Sequence, residues 1–289
     1  MRFGISTHLF HGERLERRHL EAVAEHDLRL VEFFATRTHF DYHDASHVTA
    51  MADAARALGL TPWSLHAPIC DSFVGGEWGR AYSNASRSAA LRREAIGETV
   101  AAIGAARDLG CGLVVLHLGI PRGQPIPPGD NDAGAARHSL DPIVGACTAA
   151  GLRLALEVIP NDLSTAAALV DWLTGDLELG DTGACLDVGH AHLTGGAPEA
   201  AELLSGHVLT THIHDNRGRS DDHLVPFDGS IDWPATLMAL FKVGYTGPLV
   251  LELPDHGDAA RVLDRSDSAR RRIQAILDDL TQPFAFEEG

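Results

Sequence analysis

Six short apolar runs in this chain each end in a residue that binds metals: Ser64-Leu65-His66, Val114-Val115-Leu116-His117, Leu154-Ala155-Leu156-Glu157, Ala184-Cys185-Leu186-Asp187, Leu209-Thr210-Thr211-His212 and Leu249-Val250-Leu251-Glu252. A run of this kind reads as a buried strand. When its last position is an imidazole or a carboxylate, that group must be paired or coordinated, because an isolated buried charge is costly. One such ending would be an ordinary satisfied core residue. Six of them, at the same end of successive strands, read as the lining of one polyvalent metal site.

Short β-rich runs alternate with amphipathic helical stretches eight times, the pattern of βαβ units around a parallel sheet. The fold class expected is α/β, a single (β/α)8 TIM barrel occupying residues 1–289 as one domain. Strands are predicted at Phe3 to Thr7, Leu30 to Phe34, Pro62 to His66, Leu113 to His117, Arg153 to Glu157, Ala184 to Asp187, Val208 to His212 and Leu249 to Glu252. Helices are predicted at Arg14 to His26, Val48 to Leu58, Ala89 to Leu109, Ala135 to Ala150, Thr165 to Leu173, Ala200 to Leu204, Trp233 to Val243 and Ala259 to Leu280. Gly59, Gly110, Gly151 and Gly244 follow helices where a left-handed cap is wanted. The long insertions, residues 67–84, 119–132 and 215–231, all follow strands, at the end where barrels build active sites.

At 289 residues and 45% hydrophobic content, the chain suits one such barrel. The opening Met1-Arg2-Phe3-Gly4-Ile5-Ser6 has no long apolar run and no small-residue cleavage site, so it reads as a first strand and not as a secretory signal. No stretch approaches the length that crosses a bilayer, so no membrane is expected as a partner. Cys70, Cys111, Cys147 and Cys185 are scattered and form no C-x-x-C pair, which suits free buried thiols and a cytoplasmic location. Lysines and arginines number 23 against 40 acidic residues, a formal net charge of −17. That field offers polyanions no general attraction and counts against nucleic acid as a partner. The oligomeric state is left open. Histidines number 17, and His8, His190, His214 and His223 also fall near the strand ends.

In Gly183-Ala184-Cys185-Leu186-Asp187-Val188-Gly189-His190 a carboxylate at a strand tip is followed three residues later by an imidazole. That spacing either aims both side chains into the barrel mouth or makes Asp187 the cap of a following helix. His212 and His214 share a strand face by the period of two, so at least one should point inward. Asp221 and His223 repeat that spacing in a loop and either clasp a cation or belong to a solvated acidic segment. Arg217 and Arg219 lie between, as surface residues or as a clamp for substrate; with His214 they form the expected substrate-binding set. Glu157 and Glu252 close the fifth and eighth strands on opposite sides of the mouth. Two carboxylates flanking a cation suit proton abstraction from a carbon acid on one face and delivery on the other. Glu32, near the end of the second strand, is left outside the site as a supporting partner or an ion pair.

The runs His66-Ala67-Pro68, His117-Leu118-Gly119, Leu156-Glu157, Leu186-Asp187-Val188-Gly189-His190, His212-Ile213-His214-Asp215-Asn216, Asp221-Asp222-His223 and Leu251-Glu252 together resemble the xylose isomerase-like TIM-barrel superfamily over nearly the whole chain. That superfamily holds sugar phosphate isomerases and epimerases, ketose 3-epimerases, hydroxypyruvate isomerase, inosose dehydratase and endonuclease IV. The resemblance implies the fold and a divalent metal and is poorly specific for the reaction. On the epimerase pattern, it implies a metal held by Glu157, Asp187, His212 and Glu252, with the two glutamates also serving as acid and base. His190 and Arg217 or Arg219 would orient substrate hydroxyls. On the endonuclease IV pattern, it implies three zincs: one on His66, His117 and Glu157, a second on Glu157, Asp187, His212 and Glu252, a third on His190, Asp221 and His223. All nine positions carry an acceptable ligand, so more than one ion per chain is allowed.

Departures from the repair-enzyme pattern set the order of the readings. Val158-Ile159-Pro160-Asn161-Asp162 stands where those enzymes have an Asn-rich, Gly-rich signature, Ala67-Pro68-Ile69 lacks their aromatic, and Asp215-Asn216-Arg217-Gly218-Arg219 is the form common in the sugar isomerase branch. The function expected is a divalent-metal-dependent isomerase or epimerase of a small carbohydrate-like carbonyl compound, with Glu157, Glu252 and His190 catalytic and zinc or manganese as the cofactor. The alternatives are an endonuclease IV-like multi-zinc phosphodiesterase and a dehydratase using the same enolising site.

Overall fold

Apolar residues on both faces of a strand require cover on both faces, and the strands here are of that kind. In the computed structural model, which describes residues 1–175, 179–255 and 257–281, they are β1 (Phe3–Ser6), β2 (Leu30–Phe34), β3 (Thr61–His66), β4 (Phe73–Val74), β5 (Glu77–Trp78), β6 (Leu113–Leu116), β7 (Arg153–Glu157), β8 (Gly183–Asp187), β9 (Val208–Ile213) and β10 (Leu249–Leu251). Eight of them close into a parallel barrel in the order β1, β10, β9, β8, β7, β6, β3, β2. The helices are α1 (Arg17–Glu25), α2 (Ala45–Ala57), α3 (Ala89–Leu109), α4 (Ala133–Ala150), α5 (Ala166–Thr174), α6 (Val188–Thr194), α7 (Ala197–Leu203), α8 (Trp233–Lys242) and α9 (Ala259–Thr281). Side chains cap several of them: Ser88 accepts from Leu91 at the start of α3, Asp132 from Ala135 at α4 and Asp232 from Ala235 at α8. Gly110 and Gly151 close α3 and α4 at φ of 83° and 70°, a conformation that disfavours other residues. No helix among the described residues is long and apolar enough to cross a membrane. The end of the expected domain, residues 282–289, lies outside the described residues.

The main core fills the space between strands and helices, with Leu65, Val114, Leu154, Leu156, Ala184 and Leu186 turned outward onto it. Alternate residues turn inward and sort by height. Leu113, Val115, Ala155 and Cys185 form a separate apolar floor inside the barrel, joined by Trp63 and Leu209. Those last two sit where the ladder slips: Val31 pairs with Pro62 but Glu32 with Ser64, and Ala184 pairs with Val208 but Cys185 with Thr210. Each slip leaves one extra residue, and a bulge of this type re-aims a side chain. Here both bulges add bulk to the floor, and Trp63 donates its indole N–H across the barrel to Thr210 at 3.1 Å. Two residues further along the same inward rows stand His117, Glu157 and Asp187. The strand period of two therefore places an apolar layer beneath an ionisable one.

Three features depart from the sequence reading. The ladder of β6 stops at Leu116 and that of β10 at Leu251, so His117 and Glu252 lie one residue past their strands. The insertion after β3 folds back as the antiparallel hairpin β4–β5, pairing Phe73 with Trp78. Helix α6, absent from the predicted set, starts directly at the tip of β8. The loop after β9 is organised by Asp215, which is sealed from water and accepts four N–H bonds, from Asn216 at 2.9 Å, Phe227 at 2.9 Å, Ile231 at 3.2 Å and the Trp233 indole at 2.9 Å. A charged acceptor with four donors pins the segment that carries Asp221 and His223.

Candidate metal centre

Glu157, at the tip of β7, is buried and surrounded by imidazoles. His66 Nε2 stands 2.9 Å and His117 Nε2 3.1 Å from its Oε2, and His212 Nδ1 stands 3.3 Å from its Oε1. Asp187, at the tip of β8, N-caps α6 by accepting from the His190 N–H at 2.7 Å, and also accepts from His214 Nε2. The capping and the inward readings of Asp187 are thus both met by one carboxylate. Helix α6 in turn brings His190 to Asp221, with Nε2 to Oδ2 at 3.0 Å, and His223 reaches the same oxygen at 3.1 Å. His214 stacks on His223 with ring centroids 3.8 Å apart. That stack requires Gly189, since a Cβ there would lie 2.0 Å from the His214 ring.

These donors fall into groups whose ligand atoms lie within 4.8 Å of one another: His66, His117 and Glu157; Glu157, Asp187, His212 and Glu252; and His190, His214, Asp221 and His223. The nine positions named as ligands from the sequence all lie in these groups. His214, expected to bind substrate, lies fully buried in the third group instead. A further combination, Glu157, Cys185 and His212, reaches down to the floor. Of the two arginines, Arg219 lines the mouth, whereas Arg217 lines a separate, smaller cavity beside α9. Sequence reasoning gave no warning of that divergence because both residues lie in one irregular loop.

The orientation of the imidazoles fits metal ligation. His66, His190 and His223 each direct Nδ1 to a backbone carbonyl, of Ala67 at 2.8 Å, Val158 at 3.0 Å and Glu252 at 2.9 Å, which leaves Nε2 facing the carboxylates. His212 is turned the other way, with Nε2 on Glu32 at 3.0 Å and Nδ1 toward Glu157, Asp187 and Glu252. An imidazole whose second nitrogen is fixed by a carbonyl or carboxylate is the usual form of a metal-binding histidine. Glu32 is therefore the partner that the sequence left outside the site. It also accepts from Ser64 Oγ at 2.8 Å, and its Oε1 is buried with no partner among the described residues.

Electrostatics agree. Burial opposes charge throughout the cluster; it prevails at His117, whose imidazole is lowered, and is outweighed at His190, His212, His223 and Glu157. Asp187 and Asp221 hold the His190 proton well above the ordinary imidazole range, and Glu32 and Glu252 do the same for His212. His223 is pushed up to about 9 against burial, by Asp221 first. Glu157 is likewise kept well below the carboxylate range, against burial, by His117 and His212. Protonated imidazoles thus stand where divalent charge would balance the same acids, and loading a cation would release protons. The donor set, N and O atoms on fixed rings and carboxylates, fits zinc or manganese.

A family described as xylose isomerase-like TIM barrel matches residues 20–278. The chain belongs to the xylose isomerase-like TIM barrels. Among curated relatives of this family member, an uncharacterised protein y4fM of Sinorhizobium fredii is 35% identical over 125 residues, 40% of this chain and 38% of that one, so the match spans well under half of that protein. An uncharacterised protein MJ1311 of Methanocaldococcus jannaschii is 26% identical, over 90% of this chain and 86% of its own. Among solved structures, a D-tagatose 3-epimerase-like protein aligns with a TM-score of 0.80 at 22% identity, covering 98% of this chain and 100% of that one. The IolI protein, solved with a bound zinc atom, aligns with a TM-score of 0.74 at 18% identity, covering 94% and 98%.

In this xylose isomerase-like barrel, Glu32→Gln tests the orientation of His212. The variant retains the shape and removes the charge that holds Nε2–H. Zinc or manganese affinity, measured by calorimetry on chelator-stripped protein, is expected to fall about 10–100-fold with the fold intact. Unchanged affinity would show that His212 needs no partner.

Proposed function

We propose that the chain is a divalent-metal-dependent isomerase or epimerase of a small polyhydroxylated carbonyl compound, a sugar or sugar phosphate. The observation that carries this reading is the convergence of Glu157, Asp187, His212 and Glu252, of which Glu252 lines a cavity of about 1000 Å3. A divalent cation in that group would supply Lewis acidity toward a substrate carbonyl oxygen. The two glutamates differ in access. Glu252 and His190 line the cavity, while Glu157 lies behind them under the rings of His66, His117 and His212. Glu252 is therefore the carboxylate that takes the proton next to a substrate carbonyl and, in an isomerisation, returns it to the neighbouring carbon; inversion at a single carbon needs a second acid on the opposite face, the part assigned to Glu157. His190 orients or protonates a substrate oxygen, and Glu157 is also a ligand of the cation. Arg219 at the rim meets an anionic or hydroxyl group. The epimerase and IolI likenesses support the reading, as does the bound zinc of the latter. Buried free thiols at Cys70, Cys111, Cys147 and Cys185 suit a cytoplasmic enzyme.

Exchange of substrate protons with deuterium oxide tests this directly. Glu252→Gln keeps the shape and removes the basic oxygen, so exchange on a panel of ketoses and aldoses should fall by roughly two to four orders of magnitude, with metal content measured on the same samples. A fully metallated Glu252→Gln protein that exchanges at the native rate would reduce Glu252 to a ligand.

A second reading, an endonuclease IV-like phosphodiesterase, is favoured by one observation: the ligands form three adjoining groups, two of which share Glu157. Against it stand the net charge of −17 and an acidic rim of Asp221, Asp222 and Asp255. An abasic-site duplex in metal-replete buffer should be cut slowly or not at all; rapid incision would reverse the order of the two readings.

A further inference from the structure

We infer that the barrel mouth carries a second recognition subsite, on its β1 to β3 side, for an uncharged ring or apolar substituent borne by the substrate. The inference rests on the proposal that the carbonyl end of the substrate lies against Glu252 and His190. The cavity, about 1000 Å3, stands at the top of the roughly 300–1,000 Å3 range of small-molecule sites. A lone small sugar leaves most of it unfilled.

The two sides of the cavity differ in kind. One is a wall of rings: His8, His11, Phe34, Phe73 and Trp78. The β4–β5 hairpin sets the Trp78 ring 4.8 Å from Phe73 and 4.7 Å from His11, and nearly parallel to His8 at 6.3 Å. His8 lies 5.6 Å from His223, which stacks on His214. A row of rings thus runs from the hairpin down to the ligand groups. Burial, with His39 beside it, pushes His11 in this wall down to about 3. The facing side is polar and charged, with Arg122, Arg219, Asp221, Asp222 and Asp255.

Trp78 is 40% exposed and its hairpin neighbour Val74 65%, so the hairpin presents apolar surface at the mouth where a soluble loop would ordinarily present polar groups. Faces of aromatic rings bind the apolar face of another ring. The substrate class that matches both sides is a polyhydroxylated carbonyl compound joined to a second, uncharged ring.

The test is titration calorimetry on the metal-loaded full chain with D-glucose, phenol and phenyl β-D-glucoside, repeated on Trp78→Ala and Trp78→Phe. The glycoside is expected to bind roughly tenfold or more tighter than D-glucose. That preference should vanish in Trp78→Ala and largely persist in Trp78→Phe, with metal content and circular dichroism unchanged. Saturation-transfer NMR on the native protein, which needs no variant, should place the strongest transfer on the phenyl protons. The subsite is overturned if glucose binds and the glycoside binds no tighter, if the preference survives Trp78→Ala, if transfer to the bound glycoside is confined to sugar protons, or if neither phenyl probe binds. Trp78-dependent binding of phenol with neither sugar probe bound would keep the subsite and defeat the carbohydrate reading instead.

Discussion

Carboxylates sealed inside a barrel are the constraint on which this structure turns. Glu32, Glu157 and Asp187 are essentially cut off from water, and among the described residues their ion pairs are made with histidines alone. An ion held in such a place costs several kcal/mol even after relaxation, in round terms, unless opposite charge and hydrogen bonds compensate. Imidazoles can supply that charge as imidazolium, or step back to neutral ligands when a cation supplies it. A lysine or arginine in their place would balance the acids permanently and leave no site. The choice of histidine as counter-ion is what makes the cluster exchangeable.

The rest of the barrel keeps those rings and acids in place. Beneath them, the two bulges at Trp63 and Leu209 thicken the apolar floor, so the ionisable layer rests on packed side chains and not on a water-filled channel. Beside them, backbone carbonyls of Ala67, Val158 and Glu252 fix three of the imidazoles, and Glu32 fixes a fourth from the opposite side of the barrel. Above them, Asp215 anchors the loop that delivers Asp221 and His223. The four bonds that Asp215 accepts commit it to structure.

Much of the barrel was legible in the sequence, because strand ends and helix caps are local signals. Leu30–Phe34, Arg153–Glu157 and Ala89–Leu109 fall where the periodicity puts them, and Gly59, Gly110, Gly151 and Gly244 take up the positive φ expected of caps. Six of the ligand positions, His66, His117, Glu157, Asp187, His212 and Glu252, stand out because each comes next after an apolar run. What stayed hidden depends on contacts across the barrel. Nothing in Leu30-Val31-Glu32-Phe33-Phe34 tells that Glu32 meets His212, 180 positions away. Trp78 was hidden by its loop: the turn through Gly75 and Gly76, both at positive φ, folds it back over the mouth, so an aromatic wall stands where the residues after His66 gave none. Arg217 and Arg219 show the converse, two neighbours of equal promise that an irregular backbone sends to different cavities.

The central claim is that this buried set of acids and imidazoles is a metal centre. Elemental analysis of the full chain purified without chelator measures it most directly. The account predicts zinc or manganese at one equivalent per chain or more, with any excess over one reduced by His223→Ala while the site of Glu157, Asp187, His212 and Glu252 remains filled. Protein that carries no divalent metal as purified, and takes up none when zinc or manganese is added back, would contradict it.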